Sequence, residues 1–168
     1  MVLGMSLAMF TMVHVIISLI GIVAGLVVMF GMLGSQRKPG LTAIFLLFTI
    51  LTSATGFLFP FKGVTPADII GALSLLLLAI ACIALYGMKL SGAWRWIYVV
   101  TAMISLYFNV FVLVIQSFLK VPTLHALAPS VPPAEPPFLV VQGLVLLFFV
   151  IVIVGAARRF HPPAVIKF

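Results

Sequence analysis

Acidic residues are almost absent from this 168-residue chain, in which Asp68 and Glu135 are the only two. Asp68 lies at the very start of one apolar run and Glu135 in a polar connection, so the apolar runs contain no carboxylate pair for general acid–base chemistry or proton-coupled transport. Charged residues make up 7% of the chain and hydrophobic residues 65%, against about 25% and about 45–50% in a soluble domain. A soluble fold of this size cannot bury so much apolar surface, so most of the chain lies in lipid.

Cysteine is also scarce, since Cys82 is the only one, and this excludes an internal disulfide and a multi-cysteine metal site. No catalytic-triad, phosphate-loop or nucleotide-binding spacing occurs either. The net charge of +7 comes from nine Lys and Arg that stand singly or in pairs. Nucleic-acid binding uses a continuous basic stripe with aromatic residues, which this pattern lacks. The sequence therefore favours a protein that is not an enzyme, and it predicts no nucleic-acid partner.

Long apolar runs are abundant. Five of them reach the roughly 20 residues that a helix needs to cross the bilayer core. They cover approximately residues 7–33, 41–60, 67–88, 96–118 and 138–157. The longest break, residues 119–137, contains six prolines and predicts an external loop. The sequence predicts an all-α polytopic membrane helix bundle, residues 1–168, with five transmembrane helices in one membrane domain.

The third run has a clear helix-start signal in the stretch "TPAD", residues 65–68. Thr65 is a good N-cap residue, and Pro66 is favoured at the first helical position. Asp68 stabilises the positive end of the helix dipole. We expect a helix to begin at this stretch.

The positive charges predict an orientation. From the N-terminal segment through the four connections to the C-terminal tail, the Lys and Arg counts are 0, 2, 1, 2, 1 and 3. Short cytoplasmic loops are enriched in these residues. The alternation therefore predicts the N-terminus outside and the C-terminus in the cytoplasm.

Polar residues form stripes on several spans, because a helix advances about 100° per residue. On the fourth span, five of them share an arc of about 80°. These are Tyr98, Thr101, Ser105, Asn109 and Gln116. On the first span, an arc of about 60° contains His14, Ser18, Gly21 and Gly25. Such stripes face protein or water rather than lipid.

These stripes predict a polar pocket between the first, second and fourth spans. In the predicted orientation, the pocket opens outward and the proline-rich loop covers it. His14, Asn109 and Gln116 would orient a small neutral or amphipathic ligand, which the protein binds or translocates. Ser18 and Ser53 would make secondary contacts. The intramembrane histidine is the strongest indication, because ionisable groups at that depth are typical of functional sites.

A second interpretation is a non-catalytic accessory or assembly subunit of a larger membrane complex. The polar side chains then join the helices of the bundle, and the small residues Gly21 and Gly25 contact a partner or a second copy.

A third interpretation is a haem-binding redox protein that uses His14, although no other span carries a histidine. Copper binding by the stripe of Met5, Met9 and Met12 is disfavoured, because this stripe lies about 180° from His14. We predict no cofactor and no metal.

Four segments resemble those of a group of small, uncharacterised bacterial integral membrane proteins. They are "TSATGFLFPF" (52–61), "GAWRWIYVVTA" (92–102), "YFNVFVLVIQSFLKVPTLHALAP" (107–129) and "EPPF" (135–138). The resemblance implies a multi-pass protein of the bacterial inner membrane. It implies no activity, cofactor or catalytic residue.

Overall fold

The computed structural model describes residues 2–60 and 63–162, and this part of the chain is all-helical. It forms six helices: α1 (Leu7–Leu33), α2 (Pro39–Gly56), α3 (Pro66–Cys82), α4 (Trp94–Lys120), α5 (Pro122–His125) and α6 (Pro136–Arg159). One π-helical segment, Ile83–Gly87, continues α3. All except α5 are long and apolar enough to cross a membrane, α3 together with its π-helical continuation, which confirms the prediction of five such helices.

Local signals fix several helix ends. Thr65 accepts a hydrogen bond from the Asp68 backbone N–H at 3.3 Å, and the Asp68 carboxylate accepts one from the Thr65 backbone at 2.7 Å. This reciprocal capping box confirms the predicted start of α3. By contrast, α2 ends at Gly56 rather than near residue 60, because the chain turns through Phe57–Phe59.

Helix α4 is the centre of the bundle, since it contacts each of the other five helices. Its buried side includes Val99, Ala102, Met103 and Leu106, all fully enclosed. Tyr98 is 1% exposed and joins the same core. The first part of the predicted polar stripe therefore faces protein.

Helices α1, α2 and α4 meet at two glycines. A Cβ atom on Gly25 would lie 2.6 Å from Leu106 Cδ1 and 2.8 Å from Phe45 Cδ2. One on Gly21 would lie 3.3 Å from the backbone nitrogen of Thr49. The glycine face thus packs inside this chain, and α2 and α4 occupy the surface that was expected to contact a partner.

The proline-rich connection packs on the end of the bundle. Its first turns form α5, which contacts α4. Ala128 is fully buried in a small cluster with Phe118 and Phe138, whose ring centroids are 5.4 Å apart. The connection is therefore held against the ends of α4 and α6.

The opposite end of the bundle is rich in positive charge. Arg95 Nη1 donates hydrogen bonds to the carbonyl oxygens of Ala157 and Phe160, and the His161 N–H donates to Ser35 Oγ. These bonds bring together the α1–α2 connection, the start of α4 and the end of α6. Six of the nine Lys and Arg residues belong to these segments and the α3–α4 connection: Arg37, Lys38, Lys89, Arg95, Arg158 and Arg159. We call this the cationic end, and the other end the His14 end.

Candidate functional site

His14 forms a side-chain hydrogen bond between two helices. Its Nδ1 lies 2.7 Å from Thr55 Oγ1, at the end of α2. The Thr55 hydroxyl donates its single proton to the Leu51 carbonyl oxygen, which is only 2.6 Å away. We therefore assign the proton between the ring and the hydroxyl to Nδ1, so that His14 donates and Thr55 accepts. In the neutral ring, this leaves Nε2 as a hydrogen-bond acceptor.

The second ring nitrogen, Nε2, is not fully enclosed. It makes no hydrogen bond within residues 2–60 and 63–162, and it is not one of the enclosed polar atoms that lack a partner. The His14 side chain is half-buried. The hydrogen bond to Thr55 fixes the orientation of the ring. Nε2 can then accept a hydrogen bond from a donor group outside the described residues.

Aromatic side chains form the wall beside His14. The Phe59 ring stands nearly perpendicular to the imidazole, with ring centroids 5.2 Å apart. Phe59 also packs edge-on against Phe10, which is 2% exposed, at 4.9 Å. The positive charge of Lys120, the last residue of α4, acts on His14. The aromatic wall favours a ligand with an apolar body, and the Lys120 charge disfavours a cationic one.

The two serines predicted to contact the ligand have other surroundings. The Ser18 hydroxyl donates to the His14 carbonyl oxygen at 2.8 Å, so its proton is used within α1. Ser53 is 7% exposed, and its backbone carbonyl lies at the contact of α2 with Gly71 of α3. Ser18 lies one turn from His14 along α1, and Ser53 lies two residues before Thr55 on α2.

Neither Asn109 nor Gln116 forms a hydrogen bond with His14 in the described part of the chain. Leu106 packs against Gly25, so these two residues lie at the same depth in the bundle. Asn109 lies less than one turn beyond Leu106 on α4. His14 lies about three turns before Gly25 on α1, which is roughly 16 Å at 1.5 Å per residue. Asn109 is half-buried, with its Nδ2 enclosed and without a partner among the described residues. Gln116 is exposed. The inward-facing stripe of α4 therefore ends near Asn109, and the contacts at Gly25 fill the space between α1, α2 and α4 at that depth.

Gln142 joins α6 to α4. Its Nε2 donates to the Phe111 carbonyl oxygen at 3.0 Å, while its enclosed Oε1 has no partner in the described part of the chain. Gln142 is the only strongly polar side chain of the fifth predicted span, but the sequence does not indicate which residue it contacts. This amide holds two helices together.

Two clefts are open at the surface, and neither includes a predicted site residue. One, of about 360 Å³, lies at the cationic end and is lined by Val27, Phe30, Gly31, Gly34, Gln36 and Lys38. The other, of about 370 Å³, lies between α4 and α6 and has an apolar lining that includes Tyr107 and Phe149.

Residues able to hold a metal are dispersed in the described ranges. No group of three or more His, Cys, Asp or Glu side chains lies together there. Cys82 is half-buried on α3 as a free thiol.

The chain matches no protein-family model, no curated protein and no solved structure.

Proposed function

We propose that this multi-pass membrane protein binds a small neutral or amphipathic molecule at the His14 end. The observation that carries the proposal is the 2.7 Å contact between His14 Nδ1 and Thr55 Oγ1, which leaves Nε2 without a hydrogen-bond partner among the described residues. An acceptor at such a place can orient a ligand through one hydrogen bond. Intramembrane ionisable groups of this kind are typical of functional sites.

The surroundings of Nε2 restrict the ligand. A hydroxyl or N–H group on the ligand donates to Nε2, and an apolar portion lies against Phe59 and the neighbouring lipid. The Lys120 charge disfavours a cationic ligand. A neutral molecule with one donor group and an apolar body fits best.

The proposed setting is a bacterial inner membrane with the cationic end in the cytoplasm. The clustering of six of nine Lys and Arg at one end supports this orientation, and the resemblance to bacterial membrane proteins supports the setting. The His14 end then faces outward. Single-cysteine variants at Ser130 and Gln36, made in a Cys82→Ser background, test this in intact cells. A membrane-impermeant maleimide should label position 130 and spare position 36; the reverse pattern overturns the orientation.

Photolabelling tests the binding site. A photoreactive long-chain alcohol in phosphatidylcholine vesicles supplies the donor group and the apolar body, and peptide mass spectrometry locates the label. We expect labelling in the first half of α1 and near Phe59.

Two substitutions of His14 separate the roles of its two nitrogens. In His14→Asn the amide nitrogen can replace Nδ1 and keep the Thr55 bond, but no acceptor remains at the Nε2 position. In His14→Gln the longer side chain places a carbonyl oxygen near Nε2. Labelling should be lost in the first variant and partly kept in the second, with Thr11→Val as a neighbouring control. Equal labelling in the wild type and His14→Asn contradicts the proposal.

A second candidate is an accessory or assembly subunit of a larger membrane complex. It is favoured because several polar side chains, among them Ser18, Thr101, Ser105 and Gln142, donate to backbone carbonyls inside the bundle. The enclosed amide nitrogen of Asn109 lacks a partner within the described residues, and a second chain could supply one. Purification in mild detergent should then yield a stoichiometric partner, and a monodisperse single chain from the native membrane argues against it.

A further inference from the structure

The cleft at the cationic end is amphipathic. It lies where the last turns of α1 meet the connection to α2. Its apolar wall faces outward, since Val27 and Phe30 are 40% and 58% exposed. The amide of Gln36 and the ammonium of Lys38 provide the polar part. The apolar wall can contact the acyl chain of a lipid, and the positive charge at the helix end can contact the head group.

A glycine positions the positive charge. A Cβ atom on Gly31 would lie 3.0 Å from Lys38 Cε and 3.2 Å from Lys38 Cδ, so the lysine side chain crosses α1 where the glycine leaves room. Lys38 precedes the first residue of α2 but makes no capping hydrogen bond with its side chain. Its ammonium group remains beside the cleft.

No acidic side chain is available to balance this charge. The chain has only two acids, and each is hydrogen-bonded to residues close to it in the sequence, Asp68 in the first turn of α3 and Glu135 just before α6. The nearby segments of the cationic end contribute further positive charges, including Arg37. An anion at the cleft is therefore favoured by the protein around it.

We propose that this cleft binds one anionic phospholipid. Its phosphate accepts hydrogen bonds from the ammonium of Lys38 and the amide of Gln36, and one acyl chain lies along Val27 and Phe30. A zwitterionic lipid fits less well, because its head group brings a second positive charge to the cationic end. Free phosphate has no acyl chain to cover the apolar wall. Basic side chains next to membrane helices are a common basis for recognition of anionic lipids.

Native mass spectrometry of the delipidated full chain in neutral detergent tests the proposal. The protein is titrated separately with phosphatidylglycerol, phosphatidylcholine and inorganic phosphate. We expect one phosphatidylglycerol to be retained at concentrations where phosphatidylcholine is not, and inorganic phosphate not to displace it. Equal retention of both lipids overturns the proposal. Displacement by equimolar phosphate also overturns it, since the cleft would then recognise the free anion.

Two variants assign the binding to this cleft. Lys38→Gln should weaken retention of phosphatidylglycerol by about fivefold, the effect expected of one basic residue at an anionic lipid surface. Lys89→Gln removes the same charge from an exposed residue that does not line the cleft, and it should change retention little. Equal losses in the two variants contradict a specific site.

Gly31→Leu fills the cleft without removing a charge. The nearest atoms to the new Cβ belong to the flexible end of Lys38, and leucine is favoured in a helix, so the variant should fold. It should also lose retention of phosphatidylglycerol, while far-UV circular dichroism and gel filtration stay unchanged. A folded Gly31→Leu protein that retains the lipid normally overturns the proposal. Because the His14 site lies at the other end, labelling by the long-chain alcohol should survive in these variants.

Discussion

Gly25→Ala should destabilise the bundle because the space between α1, α2 and α4 is already filled. The new methyl group would lie 2.6 Å from Leu106 Cδ1, with two atoms of the Phe45 ring at 2.8 and 2.9 Å. Both neighbouring side chains are fully buried, so neither can move outward without displacing other core residues. Overpacking of this kind costs about 1–3 kcal/mol. Alanine is the better helix former by about 1 kcal/mol, which offsets part of that cost.

Thermal unfolding in detergent, followed by far-UV circular dichroism, measures the effect. The control is Gly143→Ala on α6, where a Cβ atom meets nothing within 4 Å. It should leave the unfolding temperature unchanged or raise it, whereas Gly25→Ala should lower it. Adding Leu106→Ala to Gly25→Ala should cost less than Leu106→Ala costs alone, because the alanine at position 25 fills part of the cavity. If Gly25→Ala behaves like Gly143→Ala, the space between the three helices is open and the description of the core is wrong.

Three further predictions concern contacts between helices and in the proline-rich connection. Gln142→Met should leave the unfolding temperature unchanged or raise it slightly. The variant loses an interhelical hydrogen bond worth about 0.6 kcal/mol, but it also removes an enclosed, unpaired oxygen that costs about 1–3 kcal/mol. A markedly lower unfolding temperature contradicts this. Arg95→Lys should expose the end of α6 to limited proteolysis, since one ammonium cannot reproduce the guanidinium geometry that reaches the carbonyls of Ala157 and Phe160; an unchanged cleavage pattern argues against it. Burial raises the pKa of Glu135, but hydrogen bonds from Ala134 and Ser130 outweigh it and lower the pKa to about 2. The lowered pKa of Glu135 stabilises the connection above the usual glutamate range near pH 4.5, and this contribution is lost as the pH falls towards 2. Protection of residues 126–135 against hydrogen exchange, taken relative to the intrinsic exchange rate at each pH, should therefore decrease on acidification in the wild type but not in Glu135→Gln.

The helices could be predicted from the sequence because their signals are local. Runs of apolar residues identify the spans, and the Thr65 and Asp68 pair marks one start within four residues of chain. The end of α2 could not be predicted, because apolar residues continue through the turn at Phe57–Phe59. Hydrophobicity alone does not distinguish a helix from an apolar turn.

The site could be predicted only in part. The sequence indicates His14, since an ionisable residue within an apolar run stands out in any register. It does not identify Thr55 as the partner, because that depends on how α1 and α2 are aligned. For the same reason, the helical face that Asn109 and Gln116 share on α4 does not show whether either residue reaches His14, and neither forms a hydrogen bond with it among the described residues. Helical periodicity predicts the direction in which a side chain points around its own helix axis. It does not predict the distance between residues on two different helices.

The state of the His14 ring is the most direct test of the proposed site. Solid-state ¹⁵N NMR of the protein in lipid bilayers distinguishes a protonated ring nitrogen from a bare one. A His125→Gln and His161→Gln background leaves His14 as the only histidine. At neutral pH, we predict a proton on Nδ1, coupled to the Thr55 bond, and a bare Nε2 whose signal moves when the long-chain alcohol is added. A proton on Nε2, or an Nε2 signal that does not respond to the alcohol, contradicts the proposed binding site.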